Sequence, residues 1–254
     1  MTEHLERATS FGSIAADYDR FRPGPAAAAV DWLVPDGCAI AVDLAAGTGL
    51  LTRAVAERVP EVIAVEPDGR MRAVLQARSP GVRVQEGTAE AIPLPDASVD
   101  ALFVSAAWHW FDHERATWEI GRVLRDGGRL GVVRTSRDRA VDWVRELERA
   151  RDLEPLPSDA QLRRHRDEFK LPDNDLFEPG ERESFAFTRV MTLDDAVAWL
   201  ATYSGMIIAD PDDRRTRLAR ARTVLEEHAG GAGTIEIPLR TEGWRARRLL
   251  RVGM

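Results

Sequence analysis

The sequence predicts an α/β protein built on a doubly wound, mostly parallel sheet. Two observations carry that expectation. Short apolar runs rich in β-branched residues alternate with helix-length segments over residues 38–134. Those runs are continuously apolar, as strands covered on both faces must be, so the helices between them belong on both sides of the sheet.

The strands read in order as CAIAVDL (Cys38–Leu44), EVIAVE (Glu61–Glu66), VRVQEG (Val82–Gly87), VDALFVSA (Val99–Ala106) and RLGVVR (Arg129–Arg134). Helices are predicted over Leu50–Val59, Gly69–Arg78 and Glu114–Leu124, the last with its stop at Asp126-Gly127-Gly128. Beyond Arg134 the pattern changes. Asp138–Arg151 is a charged helix with Val141, Val144 and Leu147 on one stripe, and the polar, proline-containing stretch to Asp175 suits a cap over residues 136–180. RESFAFTRV (Arg182–Val190) and GTIEIPLR (Gly233–Arg240) alternate like strands, which brings the expected total to seven. Between them, Thr192 opens a helix over Leu193–Tyr203 with a capping-box pattern, and Asp210-Pro211 opens another that ends at Gly230-Gly231.

Composition bounds the function. A length of 254 residues with 44% hydrophobic content suits one globular domain, residues 1–254. There is no apolar run of membrane-spanning length, and MTEHLERATSFG has no secretory pattern. Cys38 is the single cysteine, so no internal disulfide or all-cysteine metal site can form, and a cytoplasmic location is expected. A net charge of −7 opposes binding to nucleic-acid phosphates. The expected partner is a small molecule, with no membrane and no nucleic acid, in a monomer or homodimer.

The sharpest motif is Asp43-Leu44-Ala45-Ala46-Gly47-Thr48-Gly49, which ends a strand and opens a helix. Small residues let the backbone turn tightly and let a ligand approach the main chain. Glu66 ends the next strand, at the spacing where an acid meets ribose hydroxyls. A dinucleotide fingerprint needs a third glycine where Thr52 stands, and a phosphate-binding P-loop needs a lysine that this loop lacks. Asp43 would repel a pyrophosphate but attract an ammonium group. An acid before the loop and an acid on the ribose fit a nucleoside with an amino-acid tail, S-adenosylmethionine (SAM).

These blocks resemble the class I SAM-dependent methyltransferases of the small-molecule type known as methyltransferase type 11. The likeness lies in VDLAAGTGLLT (Val42–Thr52), VIAVEPDGRM (Val62–Met71), GTAEAIPLPDASVDAL (Gly87–Leu102), and the run from AAWHWFD (Ala106–Asp112) through EIGRVLRDGGRL (Glu119–Leu130). AWHWFD resembles the trans-aconitate-methyltransferase-like branch. FGSIAADYDRFRPGP (Phe11–Pro25) resembles the segment that covers the cofactor in such enzymes, so residues 1–30 are expected to do so here. The resemblance implies a Rossmann-like sheet with its last strand antiparallel. It also implies that Asp43, Ala45, Gly47 and Gly49 hold the methionine end of SAM and that Glu66 binds its ribose. Met71 would pack on the adenine, Thr88, Ala89 and Glu90 would lie at its edge, and Ser105 would line the cofactor. Ala45 departs from the family's glycine, and Thr88 from its frequent aspartate.

Methyl transfer from a sulfonium is an in-line displacement in which the protein supplies position and electrostatics. A carboxylate acceptor needs no base, whereas a hydroxyl or amine acceptor gives up a proton, and His109 at the carboxyl edge of the sheet is the candidate to take it. Packing or a bond to a loop carbonyl is the competing reading for His109. Trp108 and Trp110 are expected to wall the acceptor. Tyr18 would close the methionine side, and Arg22, Arg134 and Tyr203 are candidate substrate contacts. Trp32, Trp118, Trp143, Trp199 and Trp244 read as packing residues. No metal site is expected: His109 and His113 have no third ligand fixed by spacing. The activity favoured is O-methylation of a small molecule, a carboxylate among the acceptors considered. Two alternatives stand beside it: a SAM-binding protein without methyl transfer, and a nicotinamide oxidoreductase, which Asp43 and Thr52 disfavour.

Overall fold

A computed structural model describes residues 11–152, 171, 172 and 174–250. Seven strands form one sheet in the order β3-β2-β1-β4-β5-β7-β6. They are β1 (Ile40–Leu44), β2 (Glu61–Val65), β3 (Arg83–Gln85), β4 (Val99–Ser105), β5 (Leu124–Arg137), β6 (Glu181–Thr192) and β7 (Thr234–Arg247). The pairs β1–β2, β1–β4, β2–β3 and β4–β5 are parallel. β7 runs against β5, since Gly127 bonds Arg248 while Thr135 meets Thr241. It also runs against β6, since Glu178 bonds Arg247 while Leu193 bonds Gly233. The expected α/β sheet with an antiparallel end is therefore present.

Contacts divide the chain into two compact units. The first comprises Gly24–Thr135, Arg166–Phe185 and Thr241–Met254. Its strands bury both faces. Val42, Leu102 and Val104 join a core with Ile120 and Val123, while Ala41, Ala101 and Phe103 join another with Leu51 and Val55. This two-sided burial is what removes alternation from the strand sequences. The helices that cover the sheet are α1 (Ala27–Leu33), α2 (Leu50–Ala56), α3 (Gly69–Arg78) and α4 (His113–Val123). Asp68 and Asp112 cap α3 and α4 by accepting from the backbone N–H groups of Arg70 and Arg115.

Two expectations are corrected in this unit. Asp126-Gly127-Gly128 is not a helix stop. α4 ends at Val123, the chain extends at once into β5, and residues 125–128 bulge out: Val99 pairs with Leu124 but Ala101 already pairs with Arg129. Trp118 is not a packing residue. It lies on α4 opposite the buried face of Ala116, Ile120 and Val123 and is 68% exposed.

The second unit comprises Met1–Pro23, Ser136–His165 and Ala186–Arg240. Its described helices include Ala15–Phe21, Asp142–Asp152, Leu193–Ala201 and Pro211–Ala229. Their core joins Phe21, Leu147, Trp199, Leu200 and Leu225 to the inward residues Ile235, Ile237 and Leu239. Thr192 accepts from the backbone N–H of Asp195, Pro211 opens its helix behind the Asp210 cap, and Gly230 ends it, as the sequence predicts. The arginines of that last helix pair along its surface with Asp212, Asp213 and Glu226. Residues 1–10 of the N-terminal segment, with His4, and residues 153–170 and 173 of the expected cap, with His165, lie outside the described residues.

Candidate functional site

The strand order reverses direction between β1 and β4, and ligands of open α/β sheets bind at the carboxyl ends of such a pair. The loop after β1 is Ala45–Gly49, and β4 ends at Ser105. Both exits carry a non-glycine residue in the left-handed region: Ala45 at φ 55° and Ala106 at φ 55°. Each such alanine costs about 1–2 kcal/mol, and strain of this kind gathers at functional sites.

Gly47 and Gly49 also have positive φ, 58° and 88°, but for different surroundings. A Cβ on Gly49 would lie 3.0 Å from Leu75, so that glycine serves packing between the loop and α3. A Cβ on Gly47 would meet nothing within 4 Å, so that position opens to space where a ligand can approach the main chain.

Two buried carboxylates hold the loop. Glu66 Oε2 accepts from the backbone N–H of Gly47 at 2.9 Å, and its Oε1 accepts from that of Asp68 at 2.9 Å. Burial raises the Glu66 pKa against these two bonds. Each carboxylate oxygen has a second lone pair, so Glu66 can organise the loop and still accept ribose hydroxyls. Asp43 lies on the sheet face covered by α2, where the Thr52 hydroxyl donates to its Oδ2 at 2.6 Å. Its Oδ1 is buried and has no partner among the described residues, and the same holds for Thr48 Oγ1. Burial pushes the Asp43 pKa up to about 7, the Thr52 hydroxyl pulls against it, and the Glu66 charge adds to the rise. An acceptor oxygen in this state suits a cationic donor. Sequence reasoning used Thr52 only as a missing glycine. Its spacing of nine residues from Asp43, one strand end and one helix turn on, was the available signal for the bond.

Met71 is buried on α3, Ala89 is buried, and Thr88 is exposed with its backbone paired to Ala91. Glu90 accepts from the backbone N–H of Asp112 at 3.0 Å and so ties the segment after β3 to the start of α4. Ser105 is half-buried at the end of β4. These positions and the glycine loop all belong to the first unit.

The expected tryptophan wall around His109 is not built as predicted. Trp108 turns into the core and stacks on His113 at 5.3 Å, while His113 Nε2 lies 3.1 Å from the Trp108 carbonyl oxygen. His109 is exposed, with Trp110 4.5 Å from its ring. Successive residues of this 3-10 turn point about 120° apart, so with Trp108 directed into the core, His109 faces away from it. Arg134 is half-buried on β5. Among the described residues, no three His, Cys, Asp or Glu side chains are placed to hold one metal ion, and no helix is long and apolar enough to cross a membrane.

Three candidates belong to the second unit. Tyr18 packs edge-on against Phe11, and Arg22 lies 5.0 Å from the Tyr18 ring and 3.9 Å from that of Tyr203. Sequence reasoning singled out Arg22 and Tyr203 separately and missed their neighbours Arg137, Glu148 and Arg151. No spacing rule joins residues so far apart in the chain.

Comparison with known proteins places the chain in a family. A methyltransferase-domain family model matches residues 42–132, the span from β1 through β5. An uncharacterized methyltransferase of Mycobacterium tuberculosis is 41% identical over 221 residues, 86% of each chain. One of Schizosaccharomyces pombe is 38% identical over 152 residues, 58% of this chain and 59% of the relative. Among solved structures, a putative type II methyltransferase from Anaeromyxobacter dehalogenans superposes with a TM-score of 0.68 at 28% identity. That match covers 91% of this chain and 99% of the other.

Proposed function

This chain belongs to the class I SAM-dependent methyltransferases, and we propose that its acceptor is a small molecule methylated at oxygen. The observation that carries the site assignment is the partnerless, buried Oδ1 of Asp43 beside the open approach at Gly47.

SAM supplies, when bound, a methyl carbon that an acceptor lone pair takes in line while the carbon–sulfur pair stays on sulfur. The residues of this chain bind and orient. Asp43 Oδ1 would accept from the cofactor's ammonium group, and Ala45, Gly47 and Gly49 would bring the main chain against its methionine part. Glu66 would accept from the ribose hydroxyls. Met71 would pack on the adenine, with Thr88, Ala89 and Glu90 at its edge, and Ser105 would line the cofactor below β4.

A carboxylate acceptor needs no proton removed. For a hydroxyl acceptor the proton has to leave, and His109 is the exposed imidazole past β4 that would hold it. Trp110 and Arg134, in the same unit as the glycine loop, remain acceptor contacts in this reading. A chain charge of −7 supports a small acceptor over a nucleic acid. The single, buried Cys38 supports a cytoplasmic location.

Calorimetric titration with SAM, its demethylated product and NAD tests the cofactor site. Binding of the first two, weakened by about tenfold or more in Glu66→Ala, is expected. Unchanged affinity in that variant would place the site elsewhere. Screening small carboxylates, phenols and amines for methyl transfer then tests the acceptor, and turnover on amines alone would overturn the oxygen assignment.

A further inference from the structure

We propose that the second unit carries an oxyanion-binding site, formed by Arg22 and Arg137 against Tyr203 with Arg151 beside them, which takes a carboxylate or phosphate group of a small molecule. This site goes beyond the cofactor site and does not depend on it.

Its geometry is unlike a surface salt-bridge network. Three guanidinium carbons lie near one phenol ring: Arg22 at 3.9 Å, Arg151 at 4.7 Å and Arg137 at 4.9 Å. Arg137 is 3% exposed and donates to the Tyr203 hydroxyl at 3.1 Å. Among the described residues the acid in the cluster is Glu148, 2% exposed, and its two oxygens already serve two arginines. Oε1 accepts from Nε and Nη2 of Arg137 at 3.1 and 2.7 Å, and Oε2 accepts from Nε of Arg139 at 2.7 Å. Arg22 directs Nε and Nη2 to the hydroxyl and carbonyl oxygens of Thr202, at 2.8 and 3.0 Å, which are neutral acceptors. Hydrogen bonds to neutral oxygens hold a guanidinium in place without cancelling its charge.

A second observation points the same way. The indole N–H of Trp199 is buried and has no acceptor among the described residues, and its ring lies 5.0 Å from the Arg137 guanidinium. Among the described residues, Arg22 and Trp199 thus bring donors to a cluster whose carboxylate already serves other arginines. The tyrosine records the resulting field. Burial alone would raise the Tyr203 pKa, yet Arg137, Arg22 and Arg151 outweigh both burial and the opposing Glu148 charge and lower it. Glu148 responds in kind, with its pKa held down by Arg137, Arg151 and Arg139 against burial. Buried positive charge of this kind needs an anion, and planar guanidinium forks match the two oxygens of a carboxylate or the face of a phosphate. Arg22 and Tyr203 are both half-buried, so one side of the cluster is within reach of solvent.

The test is titration of the full-length protein with succinate and, separately, inorganic phosphate, with chloride holding the ionic strength constant. Melting temperature and calorimetry report binding. Saturable binding of one or both is expected, weakened about tenfold or more in Arg22→Gln. Preference between the two probes decides which oxyanion the site reads. A Tyr18→Phe variant leaves Tyr203 as the sole tyrosine, so tyrosinate absorbance follows its ionisation directly. An anion seated among the guanidiniums must raise the pH at which Tyr203 ionises, a shift that a purely structural cluster would not show. Absence of saturable binding by either probe, or binding unaltered in Arg22→Gln with the tyrosine titration unmoved, overturns the proposal.

Discussion

The glycine loop of the first unit and the arginine cluster of the second are opposites in charge and in the way the chain builds them. The loop gathers Asp43, Gly47, Thr52 and Glu66 from a short stretch and buries acids whose pKa values rise. The cluster gathers Arg22, Arg137, Glu148 and Tyr203 from across the chain and buries bases around an acid whose pKa falls. One region is poised for a cation and the other for an anion. A buried acid therefore stabilises or destabilises according to which company it keeps.

The same acid-to-amide change separates the two regions most sharply at Glu148. Glu148→Gln leaves Arg137 buried without its carboxylate, a loss of about 3–5 kcal/mol. A fall in melting temperature of roughly 10 °C follows for a chain of this size. A fall of a degree or two would mean that the guanidiniums are well solvated and the cluster is not a buried charge site at all.

In the loop the corresponding change is milder. Glu66 receives a backbone N–H at each oxygen, so Glu66→Gln must turn an NH2 group toward one of them. A loss of about 1–3 kcal/mol in denaturant unfolding is expected, together with weaker SAM binding. Unaltered stability would show that Glu66 does not hold the Gly47 turn.

At Asp43 the sign reverses. With its pKa near 7, the native state keeps a proton that the unfolded chain has released above about pH 4. The Asp43 contribution to ligand-free stability therefore declines between about pH 4 and pH 7, and Asp43→Asn removes that contribution. SAM binding should run the other way, because an ammonium partner favours the carboxylate. Between pH 6 and 7.5, below the ordinary α-amino range, the ionised fraction of a group with a pKa near 7 grows about eightfold. Affinity measured by calorimetry should grow in proportion, with proton release seen in buffers of different ionisation heat. A flat profile, or one shared by Asp43→Asn, would remove Asp43 from the ammonium site.

The contrast also explains what could be read from the sequence. The loop was legible because strand, turn, helix and second acid follow one another at fixed spacings, and both strand faces carry continuous apolar runs. What escaped was set by tertiary packing. The Asp126–Gly128 segment looks like a helix stop locally, yet Arg248 pairs with it and draws it into the sheet. Trp118 is large and apolar, yet its position on α4 turns it outward. Glu148 and Arg151 fall within what reads as a charged helix, and no local pattern marks Arg137. Only the fold places them around Tyr203.

The smallest expected effect concerns strain in the loop. Ala45 takes a left-handed backbone at φ 55°, which costs an alanine about 1–2 kcal/mol and a glycine almost nothing. Glycine, however, has more freedom to lose on folding, about 0.4–1 kcal/mol, and the Ala45 methyl packs against the sheet core. The terms nearly cancel, so Ala45→Gly should stabilise the protein by no more than about 1 kcal/mol in denaturant unfolding. Gly47→Ala provides the counterpart: its φ of 58° is close to that of Ala45, but a Cβ there meets nothing within 4 Å, so no packing offsets the strain. It should destabilise the ligand-free protein by about 1 kcal/mol and weaken SAM binding further by filling the approach. If Ala45→Gly instead loses more than about 1 kcal/mol, the methyl group contributes more than the strain removes, and the alanine at this turn is there for packing.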